Sequence, residues 1–234
     1  MENVSAVLLS CHRPKNIVRI LQHLGTHDWI DEVIVFDNAP DNSLADSLRV
    51  FYPYGQWITY ARSDSNIYTH GRFLAAVMAK NETIYTQDDD CLVFGLRQLW
   101  DRFQAKPDRI AHNLHDSHYT DGDHADNYYG QMHNALLGWG AMFHRGWIDV
   151  LDEYEAEYGR DAVLDRKADK IFAMLQRKHH QTLRGDIVHL PGATGPEALC
   201  RRDDHELLNQ EAILRCLKLD AARQAREAQE CIAS

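Results

Sequence analysis

The chain has 234 residues, a formal net charge of −10, 44% hydrophobic residues and 26% charged residues, which is typical of a globular protein with a sizeable core. The acidic charge argues against a general nucleic-acid coat protein, and five cysteines without a CxxC pair argue against a zinc knuckle or a disulfide framework. No apolar run approaches the ~20 residues that cross a bilayer, and no leader precedes the first apolar run, so we expect a soluble or peripherally attached protein of the cytoplasm, or of the host cytoplasm if the source is viral.

The first half of the chain alternates between short apolar runs and amphipathic segments. Strands are predicted over residues 4–10, 32–36, 57–61 and 84–86, and helices over residues 17–24, 44–51 and 66–80. Phe73, Leu74 and Val77 are expected on the inner face of the last of these helices. The alternation predicts an α/β fold in which helices flank a mostly parallel central sheet on both faces.

After residue 90 the regular alternation is lost. Helices are predicted over residues 96–103, 147–158, 162–178 and 204–230, and strands over residues 134–143 and 186–190. Two glycines in 134–143 indicate a backbone that approaches another group closely. Residues 111–133 are interpreted as a long irregular segment or an edge hairpin, and 191–196 as a breaker-rich loop. The last helix is expected to bury a stripe of Leu207, Leu208, Ile213, Leu214 and Leu217.

Three polar clusters follow predicted strands: Ser10, Asp37-Asn38 and Asp88-Asp89-Asp90. Open α/β sheets bind their ligands at the carboxyl ends of the strands, so we expect the clusters to meet at one edge. Three adjacent carboxylates repel one another unless a cation is present, and hard ions such as Mg²⁺ or Mn²⁺ prefer oxygen ligands. The triplet therefore predicts a divalent metal site that also binds phosphate, with a solvated acidic turn as the alternative.

Ordered stretches of the chain resemble the GT-A fold glycosyltransferases that use nucleotide-sugars, and more narrowly the exostosin-like hexosaminyltransferase domain (glycosyltransferase family 64). The likeness covers residues 4–217 and lies in residues 10–14 (SCHRP), 36–38 (FDN), 86–92 (TQDDDCL), 137–143 (LGWGAMF), 168–171 (ADKI) and 201–205 (RRDDH). The chain departs from the family at Ala168, where the family has an acid. Of the Asn–Arg repeats expected near residues 66–71, only Asn66 and Arg72 remain. The resemblance implies one domain over 1–234, with a nucleotide-sugar half (1–92), an acceptor half with a smaller β/α portion (93–200) and a C-terminal lid and helix (201–234).

The resemblance also implies an activity and a set of ligand-binding residues. The activity is transfer of a sugar, with retention, from a nucleotide diphosphate-sugar, preferably a UDP-sugar, to a hydroxyl group. Asp90 is expected to hold Mn²⁺ or Mg²⁺ with help from Asp88, and His189 is a further candidate metal ligand. Donor contacts are expected from Ser10, Arg13, Asp37, Asn38, Asn66, Arg72, Asp88 and Asp89. The alternatives are a turn-forming role for Asp37-Asn38, a surface helix position for Arg72 and a satisfied, half-buried ring for His189.

Two residues are implied in catalysis, Asp169 and Arg202. Asp169 would remove the acceptor proton in an inverting enzyme, and would orient the acceptor or steady positive charge on the sugar in a retaining one. Arg202 follows the loop 191–196, which suits a lid, and would stabilise the leaving diphosphate. Asp165 competes with Asp169 for its role, and an ordinary helix-start position is the alternative for Arg202.

The acceptor is predicted from local charge. Residues 160–184 contain seven Arg or Lys and three Asp or Glu, a local net charge of +4, which would attract an acidic glycan or DNA that carries a hydroxymethylated base. A solvated helix face with charges of both signs is the alternative. Two other functions compete: a module that binds nucleotide-sugar or glycan without turnover, and a nucleotidyltransferase. The second would need a glycine-rich loop after the first strand, and residues 10–15 contain no glycine.

Overall fold

The computed structural model describes residues 3–39, 44–54, 57–114, 135–176, 180–193 and 202–233. The strands are β1 (Val4–Ser10), β2 (Ile30–Asp37), β3 (Ile58–Arg62), β4 (Thr83–Asp88), β5 (Cys91–Val93), β6 (Ala111–Leu114), β7 (Ala141–His144), β8 (Gln181–Arg184) and β9 (Ile187–His189). The helices are α1 (Pro14–Leu24), α2 (Leu44–Leu48), α3 (His70–Val77), α4 (Leu96–Ala105), α5 (Asp149–Tyr158), α6 (Ala162–Leu175) and α7 (His205–Ala233). Among the described helices, none has both the length and the apolar character needed to cross a membrane.

A seven-stranded sheet in the order β3-β2-β1-β4-β7-β6-β8 forms the centre of the fold. Its pairs are parallel except that β7 runs antiparallel to both β4 and β6. A separate two-stranded antiparallel sheet joins β5 to β9. The predicted α/β fold with a mostly parallel central sheet is therefore confirmed.

Both faces of the central sheet are covered, as the continuous apolar runs of its strands require. Successive residues of a strand point to opposite faces, so Val7 and Ile84 join one core cluster while Leu8 and Tyr85 join the other. The first cluster includes Phe73 of α3, together with residues of α5, α6 and α7, and the second includes residues of α1, α2 and α4. Each fully buried side chain of this size contributes roughly 1.5–3 kcal/mol relative to exposure.

The prediction for α3 was wrong in its length and in its inward face. The helix begins at His70 rather than at residue 66, and Leu74 and Val77 are 40% and 59% exposed. Phe73 is buried as expected, but it shares the inner face with Arg72, which has no exposed surface. Arg72 thus lies on the core-facing side of α3, where the pattern predicted Leu74. It is stable there because the carboxylates of Asp88 and Asp169 bind its guanidinium.

The apolar stripe predicted for α7 was also wrong. Leu207, Leu214 and Leu217 are 68%, 53% and 56% exposed, and the buried face consists instead of Asn209, Ala212, Cys216 and Leu219. Small side chains at the contact shorten the distance between packed helices, and this face packs against α6. Close helix packing therefore decides which face is buried: Leu207, Leu214 and Leu217 remain exposed, while Leu208 of the predicted stripe packs partly against the core.

The short polar strands were the hardest to predict. β6 begins where an irregular segment was expected, β8 was not predicted, and β7 covers only the end of the run 134–143. His112 and Asn113 of β6 are completely buried although their side chains are polar. Residues 115–134 and 194–201, and so most of the predicted irregular segment and half of the breaker-rich loop, lie outside the described residues.

Candidate functional site

The ends of β1, β2 and β4 lie side by side at the carboxyl edge of the sheet. Ser10 pairs in register with Asp37, and Leu9 pairs with Asp88. The three polar clusters singled out in the sequence are therefore brought together, as the parallel topology requires. Ser10 is fully buried, and its hydroxyl has no hydrogen-bond partner among the described residues.

The three carboxylates of the acidic triplet have three different environments. Asp88 is the most accessible, with a side chain that is 39% exposed, and its Oδ1 accepts a hydrogen bond from Arg72. Asp89 is buried and forms an ion pair with Arg13. Asp90 has a side chain that is 20% exposed, and its Oδ2 lies 3.8 Å from the same Arg13. A single run of three acids therefore supplies one buried carboxylate, Asp89, and two that stay partly exposed beside their arginine partners, Asp88 and Asp90.

Asp89 connects the chain segments that surround the site. Its Oδ2 accepts a hydrogen bond of 2.8 Å from the backbone N–H of Cys11, and its Oδ1 accepts one from Arg13. Arg13 also donates to the carbonyl of Gly192, 2.9 Å away, and Asn16 donates to the carbonyl of Pro191. Asp89 and Arg13 were predicted to contact the donor, and the structure places them in a clamp that ties the loop after β1 to the loop after β9.

Asp90 has the properties expected of a metal ligand. Burial, together with repulsion from Asp88 and Asp89, raises the pKa of Asp90 to about 7. Its Oδ1 is buried without a hydrogen-bond partner in the described part of the chain. A divalent cation would stabilise the ionised form of such a group and would satisfy this oxygen. Asp88 and Asp90 thus fit a Mg²⁺ or Mn²⁺ ion whose remaining ligands are substrate phosphates and water.

His189 is not joined to these aspartates in a ready-made metal centre. The described residues contain no group of three or more His, Cys, Asp or Glu side chains arranged to hold a metal ion. His189 is exposed at the end of β9, where it pairs with Cys91, and its ring lies 5.8 Å from that of Trp139. Asp88 and Asp90 remain the candidate carboxylate ligands, and a metal-binding role for His189 stays a prediction.

Arg72 connects the acidic triplet to Asp169. Its Nε lies 3.0 Å from Asp169 Oδ1, its Nη2 binds Asp88 Oδ1, and its Nη1 lies 2.8 Å from Thr86 Oγ1. Burial raises the pKa of Asp169 to about 6, an effect that the attraction of Arg72 only partly offsets. The Asp169 side chain keeps 21% of its surface exposed, so it remains accessible from the site. The surface-helix alternative for Arg72 is excluded by its burial, and Arg72 braces the acidic cluster.

The competitor Asp165 lies in a different setting, where Arg160 binds its carboxylate at 3.0 Å. His70 lies 3.4 Å from the same carboxylate. Asp165 is one turn away from Asp169 on α6 and does not contact Arg72 in the ion pairs of the described residues. The structure therefore joins Asp169, not Asp165, to the acidic triplet.

Asp37, Asn38 and Asn66 shape the loops that border the site. Asp37 accepts hydrogen bonds of 3.0 Å from the backbone N–H of Ala39 and from the hydroxyl of Tyr60, whose pKa is raised to about 12 by burial and by this bond. Asn38 donates to the carbonyl of Tyr68, and Asn66 accepts from the N–H of Tyr68. Asp37 and Asn38 thus fulfil the turn-forming role that was their alternative assignment, and Asn66 forms a similar local contact. Their predicted contacts with a donor stay predictions.

Arg202 lies over the ring of Tyr68, in an aromatic contact that the sequence did not indicate. The Cζ atoms of Arg166 and Arg202 lie 5.0 and 5.2 Å from the centroid of the Tyr68 ring. Cation–π contacts of this length orient a guanidinium without neutralising it. Arg202 is exposed and forms no ion pair with a carboxylate of the described residues, so it remains available for an anionic ligand.

Three of the seven basic residues of segment 160–184 have partners within the described part of the chain. Arg160 pairs with Asp165, and Arg166 pairs with Asp204. Lys167 is buried, its Nζ lies 2.9 Å from His205 Nδ1, and burial lowers its pKa to about 8. The local excess of positive charge therefore does not form a free basic face at these positions.

Sequence reasoning missed the roles of Tyr68 and Gly138. Tyr68 adopts a positive φ of 49°, which a single sequence does not signal for tyrosine. Gly138 lies against the acidic triplet: a Cβ atom there would be 2.2 Å from Asp88 Oδ2, and its carbonyl accepts from the Asp88 N–H at 2.8 Å. The glycines in 134–143 did indicate such a close approach, and the partner is now identified as Asp88.

The arrangement of sheet and site defines a GT-A type of fold, and comparison with solved structures agrees. The chain is similar to S. aureus TarS, a glycosyltransferase of GT-A type, with a TM-score of 0.57 and 14% identity over 91% of this chain and 42% of that one. It is also similar to TarS 1–349 (TM-score 0.56, 13% identity, 92% of this chain and 70% of that one). The third structure is TarS 1–349 in complex with UDP (TM-score 0.54, 13% identity, 77% of this chain and 57% of that one).

These comparisons establish the fold and no closer relationship. No family model matches the chain, and no curated protein matches its sequence. The chain spans less than half the length of TarS, so the activity of that whole protein does not transfer to it. The closer resemblance to the exostosin-like domain stays a prediction.

Proposed function

We propose that the chain is a metal-dependent glycosyltransferase that moves a sugar from a UDP-sugar to a hydroxyl group of an acceptor. One observation carries this proposal: Asp169 and Asp88 are bridged by Arg72 beside Asp90, at the carboxyl edge of the sheet. A diphosphate-binding group and an acceptor-side carboxylate therefore lie in one site. The UDP complex of TarS, whose fold the chain shares, supports the choice of nucleotide.

The organisation we propose is one domain over residues 1–234, with a donor half (1–92), an acceptor half (93–200) and a C-terminal segment (201–234). The exostosin-like family is part of the same proposal. Asp88 and Asp90 would hold Mn²⁺ or Mg²⁺, and the bound ion would supply Lewis-acid stabilisation of the charge on the leaving diphosphate. Arg202 would bind that diphosphate as well, since its guanidinium is exposed and not ion-paired within the described chain.

Asp169 is the residue we assign to the acceptor. The acceptor oxygen attacks the anomeric carbon while the bond from that carbon to the β-phosphate oxygen breaks, and UDP leaves with the bonding electron pair. The acceptor proton passes to an Asp169 oxygen. A carboxylate with a pKa of about 6 suits this step, because it is ionised near neutral pH and still basic enough to take a proton.

The role of Asp169 differs between the two stereochemical outcomes. As a general base it supports inversion. In the retaining route, which the resemblance implies, the leaving phosphate oxygen takes the proton and Asp169 only orients the acceptor. The raised pKa of Asp169 supports inversion, and NMR of the product anomer distinguishes the two routes.

For the acceptor we propose a carbohydrate hydroxyl, with a hydroxymethylated base in DNA as the second candidate. The ion pairs of Arg160 and Arg166 leave less free positive charge in segment 160–184 than a polyanion would require. Transfer to neutral oligosaccharides, to acidic oligosaccharides and to hydroxymethylated DNA should be compared at two salt concentrations. A salt-independent preference for neutral glycans would support the first candidate.

The function is tested by donor binding and by slow hydrolysis of the donor without acceptor. We expect UDP with Mn²⁺ to raise the melting temperature more than either component alone, because a ligand that binds the native state stabilises it. UDP- and GDP-sugars should then be screened for Mn²⁺-dependent hydrolysis, which Asp90→Ala should abolish. Binding without turnover would indicate a binding module, and release of pyrophosphate from a nucleoside triphosphate would indicate a nucleotidyltransferase. Undiminished hydrolysis by Asp90→Ala would refute the metal assignment.

A further inference from the structure

We propose that Arg72 is a positioning residue that holds the metal-side carboxylate Asp88 and the acceptor-side carboxylate Asp169 at a fixed separation, so that donor and acceptor are aligned by one buried guanidinium. The inference rests on the proposed function for the roles of the two aspartates. It goes beyond that function in assigning their alignment to a residue that touches neither substrate.

The first support is the burial of Arg72. The side chain has no exposed surface, although it carries a full positive charge on a helix whose Leu74 and Val77 face solvent. Burying a charge costs several kcal/mol unless partners satisfy it, so the position is stable only because Asp88 and Asp169 are present. Because the guanidinium has no exposed surface, the proposal assigns it to the two carboxylates, and the donor contact expected from the sequence stays a prediction.

The second support is that each nitrogen atom of the Arg72 guanidinium binds a different partner. Nε donates to Asp169 and Nη2 donates to Asp88, so separate edges of one rigid plane bind the two carboxylates. Nη1 donates to Thr86 Oγ1 at 2.8 Å, and Thr86 in turn donates to the carbonyl of Val7 at 2.9 Å. The plane is thus fixed to the central sheet through β4 and β1. Its rotation is blocked, and the geometry of the two carboxylates is fixed with it.

The third support is that the two aspartates come from different parts of the fold. Asp88 ends β4, whereas Asp169 lies on α6 just after Lys167, whose φ of −123° and ψ of 16° interrupt the helix. A carboxylate that follows an irregular turn depends on its partner for its direction, and Arg72 is that partner. A misplacement of about 1 Å between reacting groups can cost roughly 10²-fold in rate.

The test is a double-variant cycle on the full chain, in which turnover of the UDP-sugar donor is measured in the presence of Mn²⁺. Arg72→Lys keeps the buried charge but replaces a planar fork by a single ammonium, which cannot bind both carboxylates in the same way. We expect kcat to fall on the order of 10²-fold while KM for the donor changes by less than about 3-fold. In the Asp169→Asn background, Arg72→Lys should lower kcat by less than about a further 3-fold. Both substitutions disrupt the same interaction between Arg72 and Asp169, so their effects should not multiply.

A matched control separates positioning from stability. Arg223 donates two hydrogen bonds to Glu153 and one to the carbonyl of Leu175, with a side chain 12% exposed, and it lies in the contact of α7 with α5. Arg223→Lys should lower the melting temperature and leave kcat unchanged. The proposal is overturned if Arg72→Lys retains kcat, if its loss is confined to KM, or if the losses in the double variant multiply independently.

A separate measurement keeps the two proposals distinguishable. If the wild-type chain turns over no donor, the proposed function fails, and crystal structures of the wild type and Arg72→Lys then test the positioning role alone. We expect the Asp169 carboxylate to move by about 1 Å or more relative to Asp88 when the fork is lost. Unchanged carboxylate positions would overturn the inference.

Discussion

Arg13 donates a hydrogen bond to Asp89, the middle residue of the acidic triplet, so this carboxylate already has a charged partner within the protein. The Asp89 side chain is 5% exposed, and its second oxygen accepts a hydrogen bond from the backbone N–H of Cys11. Burial raises the pKa of Asp89 to about 6, against the attraction of Arg13. The pair therefore closes the loop after β1 over the end of β4, and the donor contacts expected of Arg13 and Asp89 stay predictions.

Asp89→Asn should destabilise the fold because it removes the nearer of the two carboxylates that pair with Arg13, and Asp90 lies 3.8 Å away. Removing one member of a buried pair typically costs about 3–5 kcal/mol, and since the Arg13 side chain is 21% exposed we expect about 2 kcal/mol. Urea denaturation at pH 7.5 measures the loss. Asp101→Asn, which breaks the exposed pair with Arg97, is the control and should change stability little. Equal losses in the two variants would contradict the structural role of Asp89.

Gly138→Ala should disable the site without unfolding the protein. The new Cβ would lie 2.2 Å from Asp88 Oδ2, so the carboxylate must move away from the position in which Arg72 holds it. We expect at least a roughly 10-fold loss in Mn²⁺-dependent turnover, since small displacements of a ligand-binding group are costly. Gly146→Ala is the matched control, because a Cβ there meets no atom within 4 Å. Equal activity of the two variants would show that Asp88 has room to move without consequence.

The pH profile of the reaction should report Asp169. A general base acts only when deprotonated, so kcat/KM should be low below pH 6, rise through the Asp169 pKa of about 6 and level off above it. Asp169→Asn should lose about 10²–10⁴-fold in turnover and, at saturating Mn²⁺, which keeps Asp90 ionised, should lack this acidic limb. Asp165→Asn, one turn away and paired with Arg160, should keep both the rate and the limb. A flat profile in the wild type would exclude Asp169 as the base.

His112 should make the fold sensitive to acid. Its ring is fully buried, with Nδ1 3.3 Å from the Leu136 N–H and Nε2 3.2 Å from the Thr182 hydroxyl, and burial lowers the His112 pKa to about 3. The unfolded chain binds this proton near pH 6.5 and the folded chain does not. The contribution of His112 to stability is therefore complete above pH 6.5 and is lost as the pH falls towards 3, at no more than about 1.4 kcal/mol per pH unit.

The measurement compares urea denaturation of the wild type and His112→Asn between pH 4 and 7. The difference between the two curves isolates His112 from Asp89, Asp90 and Asp169, whose raised pKa values act with the opposite sign and lower stability as the pH rises from about 4 to 7. We expect the difference in unfolding free energy to grow with pH. A constant difference would mean that His112 is protonated in the folded state.

Local sequence patterns predicted the strands and helices whose formation depends mainly on residues close together in the sequence. The runs Val4–Ser10 and Thr83–Asp88 are apolar or β-branched and end in polar residues, and α1 has its apolar residues at helical spacing, so each was predictable from periodicity alone. Parallel topology then implied that the polar strand ends would meet, and they do. β6 and β8 were not predictable, because four-residue polar strands such as Ala111–Leu114 are stabilised only by their neighbours in the sheet.

The sequence by itself determined that oxygen-rich side chains gather at the carboxyl edge of an α/β sheet. Only the tertiary structure decided which carboxylate does what: Asp89 is neutralised by Arg13, Asp90 keeps an unpartnered oxygen, and Asp88 is joined through Arg72 to Asp169, 81 residues further along the chain. The physical reason is that the state of an ionisable group depends on its burial and on charges within a few ångströms. Those neighbours come from distant parts of the chain and leave no trace in local periodicity.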